Sequence, residues 1–136
     1  DVYKRQLEIT ESMAMDEPDA LIKLLEQITA TGVSIAIDDF GTGFSSLSHL
    51  QKLSVDRLKI DRAFVTEITD SSRGSSIAEM IIQLGRNLEL DVIAEGVEDE
   101  RQAAILTELG CPLGQGYLFA RPMTADALHS WLRTQT

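Results

Sequence analysis

The chain has 136 residues, of which 43% are hydrophobic and 25% are charged, values that are ordinary for one globular domain or part of one. Its net charge of -10 argues against DNA or RNA binding, which needs a basic surface. No apolar run approaches the roughly 20 residues that cross a bilayer. The single cysteine, Cys111, excludes an internal disulfide and a thiolate metal site.

Short strand-like segments alternate with amphipathic helical segments along the whole chain. The alternation of apolar and polar residues predicts strands at Gln6–Thr10, Val33–Ile37, Arg57–Ile60, Asp91–Ala94 and Gly116–Phe119. Helical spacing of apolar residues predicts helices at Asp16–Ala30, Ser45–Leu53, Ser75–Leu88, Glu100–Leu109 and Ala125–Arg133. Five strand-then-helix units in a row predict an α/β fold with a parallel sheet, either a barrel or an open doubly wound sheet.

The length bears on which of these folds the chain can complete. A full eight-fold barrel needs about 250 residues, so a barrel could be present only in part. The segment Asp1–Gln6 is polar, and no helix precedes it to feed the first strand. We therefore expect a truncated domain over residues 1–136, with residues 1–6 as a candidate non-native start.

Acidic and polar residues gather where the predicted strands end. In chain order they are Glu8, Glu11, Asp38, Asp39, Lys59, Asp61, Glu95, Glu98 and Gln115. In parallel α/β folds the carboxyl ends of the strands form the active face. A ring of carboxylates there suits hard divalent cations such as Mg²⁺ or Mn²⁺, and no histidine or cysteine cluster competes for that role.

Five motifs carry a family resemblance. They are Leu7-Glu8-Ile9-Thr10-Glu11-Ser12, Asp38-Asp39-Phe40-Gly41-Thr42-Gly43-Phe44-Ser45-Ser46, Leu58-Lys59-Ile60-Asp61, Ala94-Glu95-Gly96-Val97-Glu98 and Gly114-Gln115-Gly116-Tyr117. In order and spacing they resemble the signatures of the EAL domain, from Leu7 to about Leu132. One such motif would be a weak indication, whereas five in order over this span are highly specific.

The resemblance implies a fold, an activity and a set of metal ligands. The family fold is a modified (β/α)8 barrel with one reversed strand, of which this chain would supply the C-terminal five β/α units. The family hydrolyses cyclic di-GMP to the linear dinucleotide with Mg²⁺ or Mn²⁺. By this resemblance Glu8, Asp38 and Glu95 are metal ligands, and Asp39 binds the second metal of a two-metal site.

Further roles follow from the same resemblance. Lys59 would contact or orient the nucleophilic water, and Gln115 would hold the hydrogen-bond network of the site. Glu11 would steady the loop that starts at Asp39, which in this family couples the metal site to a dimer interface. We accordingly expect a homodimer through the Asp39–Ser46 loop, and a cytoplasmic parent protein with fused sensor or GGDEF modules.

The chain also departs from the family pattern. The name-giving Glu-Ala-Leu motif and an asparagine ligand lie on earlier strands of the family fold and do not occur here. Two metal ligands are therefore missing from this chain, and the resemblance implies an isolated chain without activity. Some members of the family have lost catalysis and serve as cyclic-di-GMP receptors or partner-docking modules, which is the alternative function.

Several assignments stay open on the sequence alone. Lys59 can act as a base or as an electrostatic anchor, and we favour the anchor because nearby carboxylates favour its charged form. Glu98 either supports the metal site or begins the following helix. Asp61 can cap the segment Arg62–Ile68, which we prefer to a catalytic role. An unrelated barrel of the enolase type would also place carboxylates at strand ends, but it leaves the Asp38-Asp39 loop unexplained.

Overall fold

The structure is a computed structural model that describes residues 5–16, 18–43, 46–69 and 72–135. Its strands are β1 (Gln6–Thr10), β2 (Ser34–Phe40), β3 (Arg57–Ile60), β4 (Asp91–Glu95) and β5 (Leu113–Gln115). Its helices are α1 (Glu11–Met15), α2 (Pro18–Thr29), α3 (Leu47–Lys52), α4 (Arg62–Glu67), α5 (Ser72–Asn87), α6 (Glu100–Leu109) and α7 (Ala125–Thr134). No helix in these ranges is long and apolar enough to cross a bilayer.

The five strands form one parallel sheet in which spatial order equals chain order. A doubly wound sheet reverses its strand order at a switch point, whereas a barrel adds each strand beside the preceding one. The order β1-β2-β3-β4-β5 is therefore that of a barrel segment, with β1 and β5 as its edges. This decides between the two folds that the pattern of elements left open.

The hydrophobic core lies where the helices cover the sheet. Its largest fully buried side chains are Leu25, Ile35, Ile37, Leu50, Leu58, Ile60, Val65, Ile81 and Val97. Burial of each such side chain stabilises the fold by about 1.5–3 kcal/mol. Helix α7 has no buried residue, so Leu128 and Trp131 are not part of this core.

The ends of α6 illustrate how local sequence sets a boundary. The Asp99 side chain accepts a hydrogen bond from the Gln102 N–H at 2.8 Å and caps the helix start. Gly110 closes the helix in the left-handed conformation, with φ of 92°. Both ends agree with the predicted helix Glu100–Leu109. Cys111, directly after the helix stop, is buried.

The fifth strand was misplaced by the sequence-based prediction. The structure puts it at Leu113–Gln115, and residues 116–119 form a turn in which the Leu118 N–H donates to the Val97 carbonyl at 3.1 Å. The aromatic and aliphatic residues of that turn favour strand in isolation. Gly116 lies so close to Val97 that a Cβ atom would collide with the Val97 backbone, and this tertiary contact is invisible in a local pattern.

Other boundaries differ in smaller ways. The short helices α1 and α4 were not predicted as helices, although Asp61 caps α4 as expected by accepting from the Ala63 N–H at 2.9 Å. Asp16 ends α1, and α2 begins at Pro18 instead of the predicted Asp16. Of the candidate non-native start, residues 1–4 lie outside the described part of the chain, as does the predicted helix start at Ser45.

Candidate active site

The centre of the site is a buried lysine surrounded by carboxylates. Lys59 is 3% exposed. Its Nζ lies 2.7 Å from Glu8 Oε1, 2.6 Å from Glu95 Oε1 and 3.7 Å from Asp38 Oδ1. The parallel register explains this convergence, because Lys59 pairs with Ile93, and Glu95 follows two residues later on the same side of β4. Three strands thus direct their acids at one ammonium group.

Two neighbouring acids reach the same side of the sheet because the backbone turns between them. Asp39 has a φ of 54°, in the left-handed region, and the register of β2 against β3 shifts between Ile37 and Phe40. On a regular strand, side chains of adjacent residues point to opposite faces. The turn removes that restriction, and carboxylate oxygens of Asp38, Asp39 and Glu95 lie within 4.8 Å of one another.

Burial and mutual repulsion alter the protonation of these groups. Burial, together with a hydrogen bond to Asp38, raises the pKa of Glu95 to about 7, although Lys59 works in the opposite direction. Burial and the charge of Asp38 also raise the pKa of Asp39. Burial disfavours the Lys59 ammonium, but hydrogen bonds from it to Glu8 and Glu95 outweigh this, so its pKa is raised. Lys59 is therefore a cation at neutral pH.

The donor set fits a hard divalent cation. Asp38, Asp39 and Glu95 offer only carboxylate oxygens, which Mg²⁺, Mn²⁺ and Ca²⁺ prefer. Glu8, the fourth predicted ligand, lies outside this cluster: its side chain is 44% exposed and joins the others through Lys59. The structure therefore brings three of the four predicted ligands together and connects the fourth to them through a shared ammonium partner.

Glu11 lies beside the loop that follows Asp39. It is 2% exposed, and its Oε2 accepts hydrogen bonds from the N–H groups of Gly41 at 3.1 Å and Gly43 at 3.0 Å. Gly41 has a φ of 99°, which a glycine adopts without strain. One buried carboxylate therefore fixes two points of the loop that carries Asp39. Residues 44 and 45 of the predicted dimer loop Asp39–Ser46 lie outside the described residues.

A cleft of about 270 Å³ opens beside the acidic cluster. Its walls include Asp39, Glu95 and Gln115, and Gln115 ends β5 directly opposite Glu95 in the sheet register. Asp61 also lines the cleft, and its carboxyl group is one of the neighbours that raise the pKa of Asp39. Besides capping α4, Asp61 therefore belongs to the site.

The rim of the cleft contains residues that the sequence reasoning missed or left open. Glu98 pairs with Arg62 at 3.2 Å across the opening, and Tyr117 lies under the Arg121 guanidinium at 4.6 Å from the ring centre. Glu98 is not part of α6, which begins at Glu100 after the Asp99 cap. The position of Arg62 directly after Asp61 was the one signal in the sequence that could have placed it at the site.

Comparison with known proteins shows the family of the chain. The family model of the EAL domain matches residues 4–122. The chain is 52% identical over 122 residues to the bifunctional diguanylate cyclase/cyclic di-GMP phosphodiesterase MucR of Pseudomonas aeruginosa, which covers 90% of this chain and 18% of MucR. It is 49% identical over 128 residues to the cyclic di-GMP phosphodiesterase NbdA of the same organism, covering 94% of this chain and 16% of NbdA.

Solved structures of similar proteins share the fold of this chain. The MucR phosphodiesterase in complex with c-di-GMP superimposes with a TM-score of 0.87 at 51% identity, over 90% of this chain and 50% of that one. A manganese and cyclic-di-GMP complex of BlrP1 from Klebsiella pneumoniae superimposes with a TM-score of 0.78 at 35% identity, over 86% and 30% of the two chains. The chain thus spans half or less of the length of these relatives.

Proposed function

The chain belongs to the EAL domain family, and from this we propose that the domain to which it contributes hydrolyses cyclic di-GMP to the linear dinucleotide. The observation that carries the proposal is the convergence of Asp38, Asp39 and Glu95 beside Lys59 at the carboxyl ends of the strands. The relatives MucR and NbdA, at 52% and 49% identity, carry the name of this activity.

The proposed cofactor is Mg²⁺ or Mn²⁺ at two adjacent positions. Asp38, Asp39 and Glu95 would hold the ions, and Glu8 would join them on moving from Lys59. Divalent ions at such a site lower the pKa of a bound water and stabilise the charge that develops on a phosphodiester. The net charge of -10 adds to the need for cations before an anionic substrate can approach the cluster.

The protein groups would divide the remaining work. Lys59 acts as the electrostatic anchor, because its ammonium already binds Glu8 and Glu95 and holds both carboxylates in position. Gln115 would offer its amide to groups bound in the cleft that it lines. Glu11, by fixing Gly41 and Gly43, would hold Asp39 in its left-handed conformation.

The decisive test is turnover of cyclic di-GMP with Mn²⁺ by the longer parent protein. Glu95→Gln removes one charge at the cluster, and Glu79→Gln, at an exposed position of α5, is the matched control. We expect the control to turn over like the wild type and the Glu95 variant to lose at least about 100-fold, because loss of an outer partner of a metal ligand already costs about 10–100-fold and Glu95 is a proposed ligand itself.

Two other outcomes would each have a clear meaning. Tight binding of cyclic di-GMP without hydrolysis by the wild type would replace the enzyme by a receptor of this nucleotide. Full activity of Glu95→Gln would remove the carboxylate cluster from the mechanism. We also propose that residues 1–136 alone are inactive, because the cleft is walled by a five-stranded sheet segment whose edge strands, β1 and β5, pair with no further strand among the described residues.

The assembly of the parent protein is a further part of the proposal. We infer a homodimer through the Asp39–Ser46 loop, which Glu11 ties to the site, and fusion to sensor or GGDEF modules in a cytoplasmic protein. The bifunctional cyclase/phosphodiesterase name of MucR supports such a fusion. Equal hydrolysis rates in strictly monomeric and dimeric preparations of the parent would contradict a role for the dimer.

A further inference from the structure

Gln102 is a buried polar side chain to which neither the motifs nor the proposed chemistry gives a role. It is 5% exposed and lies in the first turn of α6, three residues after the Asp99 cap. Its Oε1 accepts a hydrogen bond from the Glu98 N–H at 2.8 Å. Its own N–H donates to Asp99 Oδ1 at 2.8 Å, so the helix start and the preceding segment hold each other.

The segment held in this way connects the two walls of the cleft. Gly96–Glu98 follows Glu95, and Val97 is anchored to the opposite wall, since its N–H donates to the Gln115 carbonyl at 3.1 Å. At the other end the Glu98 carboxylate pairs with Arg62 on the rim. A movement of this segment would therefore displace both Glu95 in the acidic cluster and Glu98 on the rim.

We propose that Gln102 is a positioning residue for the segment Glu95–Glu98, acting through the Glu98 N–H. This inference rests on the proposed metal-dependent function. Val97 attaches the segment to β5, and Gln102 attaches it to α6. Without the second attachment the segment pivots at Gly96, whose φ is 70°, and Glu95 loses its fixed direction. Metal sites require ligands within about 0.5 Å of their productive geometry, so affinity for the ion falls.

A purely structural role would look different. The pair Asp99 and Gln102 resembles a capping box, which serves the stability of a helix start. If Gln102 only stabilised the helix start, its substitution would lower the melting temperature and leave the affinity for metal unchanged. Asp99→Ala removes the cap of the same helix without removing the acceptor of the Glu98 N–H, and it therefore isolates the stability effect.

The experiment uses the full-length parent protein and Mn²⁺ alone as the probe. Gln102→Met keeps the length of the side chain and removes the acceptor. Gln102→Asn keeps the amide but is too short to reach, and it provides a second loss variant. Gln102→Glu keeps an acceptor oxygen. Calorimetry gives the Kd for Mn²⁺, and hydrogen exchange of the Glu98 amide in metal-free protein reports the contact directly.

We expect Gln102→Met and Gln102→Asn to raise the Kd for Mn²⁺ about 10-fold, as the loss of an outer partner of a metal ligand does, and to speed exchange of the Glu98 amide. Gln102→Glu and Asp99→Ala should bind Mn²⁺ like the wild type. Wild-type affinity in both loss variants, or an equal loss in Asp99→Ala, would overturn the assignment. A wild type that binds Mn²⁺ without hydrolysing cyclic di-GMP would refute the proposed function alone, and one that binds no Mn²⁺ would refute both.

Discussion

Lys59→Met tests whether a single ammonium group holds the acidic cluster together. Methionine retains the apolar packing of the lysine stem and removes the charge. Three carboxylates, from Glu8, Asp38 and Glu95, would then face one another without their shared cation. We expect the metal-free parent protein to lose stability, because the partners stay in place after the cation is gone.

The size of the loss follows from the burial of each partner. Removing one member of a buried ion pair costs about 3–5 kcal/mol. Glu95, with 18% of its side chain exposed, accounts for most of that range. Glu8 is 44% exposed, so water screens its contact and its contribution is below about 1 kcal/mol. Glu95 can also take up a proton, which reduces the cost of losing its cationic partner. We therefore expect Lys59→Met to lower the free energy of unfolding by about 3 kcal/mol.

Urea unfolding of the parent in the presence of a chelator measures this value. The pH should be about 8.5, above the pKa of about 7 for Glu95, so that its pair with Lys59 is fully formed. Lys52→Met replaces an exposed lysine of α3 and should stay within about 0.5 kcal/mol of the wild type. A Lys59→Met variant as stable as the Lys52 control would refute the anchor role.

Three further predictions follow from the same structure. Glu11→Ala should cost about 2–4 kcal/mol, because two hydrogen bonds to a buried carboxylate are lost, and hydrogen exchange at Gly41 and Gly43 should accelerate; unchanged exchange would contradict the contact. Burial raises the pKa of the Cys111 thiol, so a thiol reagent should label the folded protein at least about 10-fold more slowly than the urea-unfolded one, and equal rates would show an accessible thiol. Because the folded pKa of Glu95 is raised to about 7, folding favours its protonated form, and this contribution to metal-free stability is present below the unfolded value of 4.5 and is lost as pH rises through 7, whereas the attraction to Lys59 belongs to the ionised form; Glu95→Gln should remove that slope from a series of melting temperatures, and a persistent slope would assign it to another group.

The sequence predicted the parts of this molecule that local patterns encode. Strand-terminal acids such as Asp38 and Glu95 could be placed because carboxyl ends of parallel strands share one edge. The predicted helix Glu100–Leu109 was confirmed, because its ends depend on near neighbours, the Asp99 cap and the glycine stop at Gly110. The family resemblance was confirmed by the EAL match over residues 4–122.

Features that depend on distant contacts could not be predicted in this way. The turn at residues 116–119 forms because Gly116 packs on Val97, a partner nearly twenty residues away, and its own composition favours strand. The contact of Gln102 with Glu98 was missed because a buried glutamine has no distinctive pattern, although its place three residues after a capping aspartate was a usable signal. The roles of the individual site residues remain predictions.

The backbone at Asp39 narrows what this position can tolerate. A φ of 54° suits glycine best, whereas the acidic cluster calls for a carboxylate. Aspartate and asparagine are the side-chain-bearing residues that enter this region most readily, and of the two only aspartate carries a charge. The backbone conformation and the negative charge of the cluster thus impose two independent requirements on residue 39. If Asp39 holds a metal ion as proposed, glycine or asparagine at this position should preserve the fold and lose activity, whereas other substitutions should impair both.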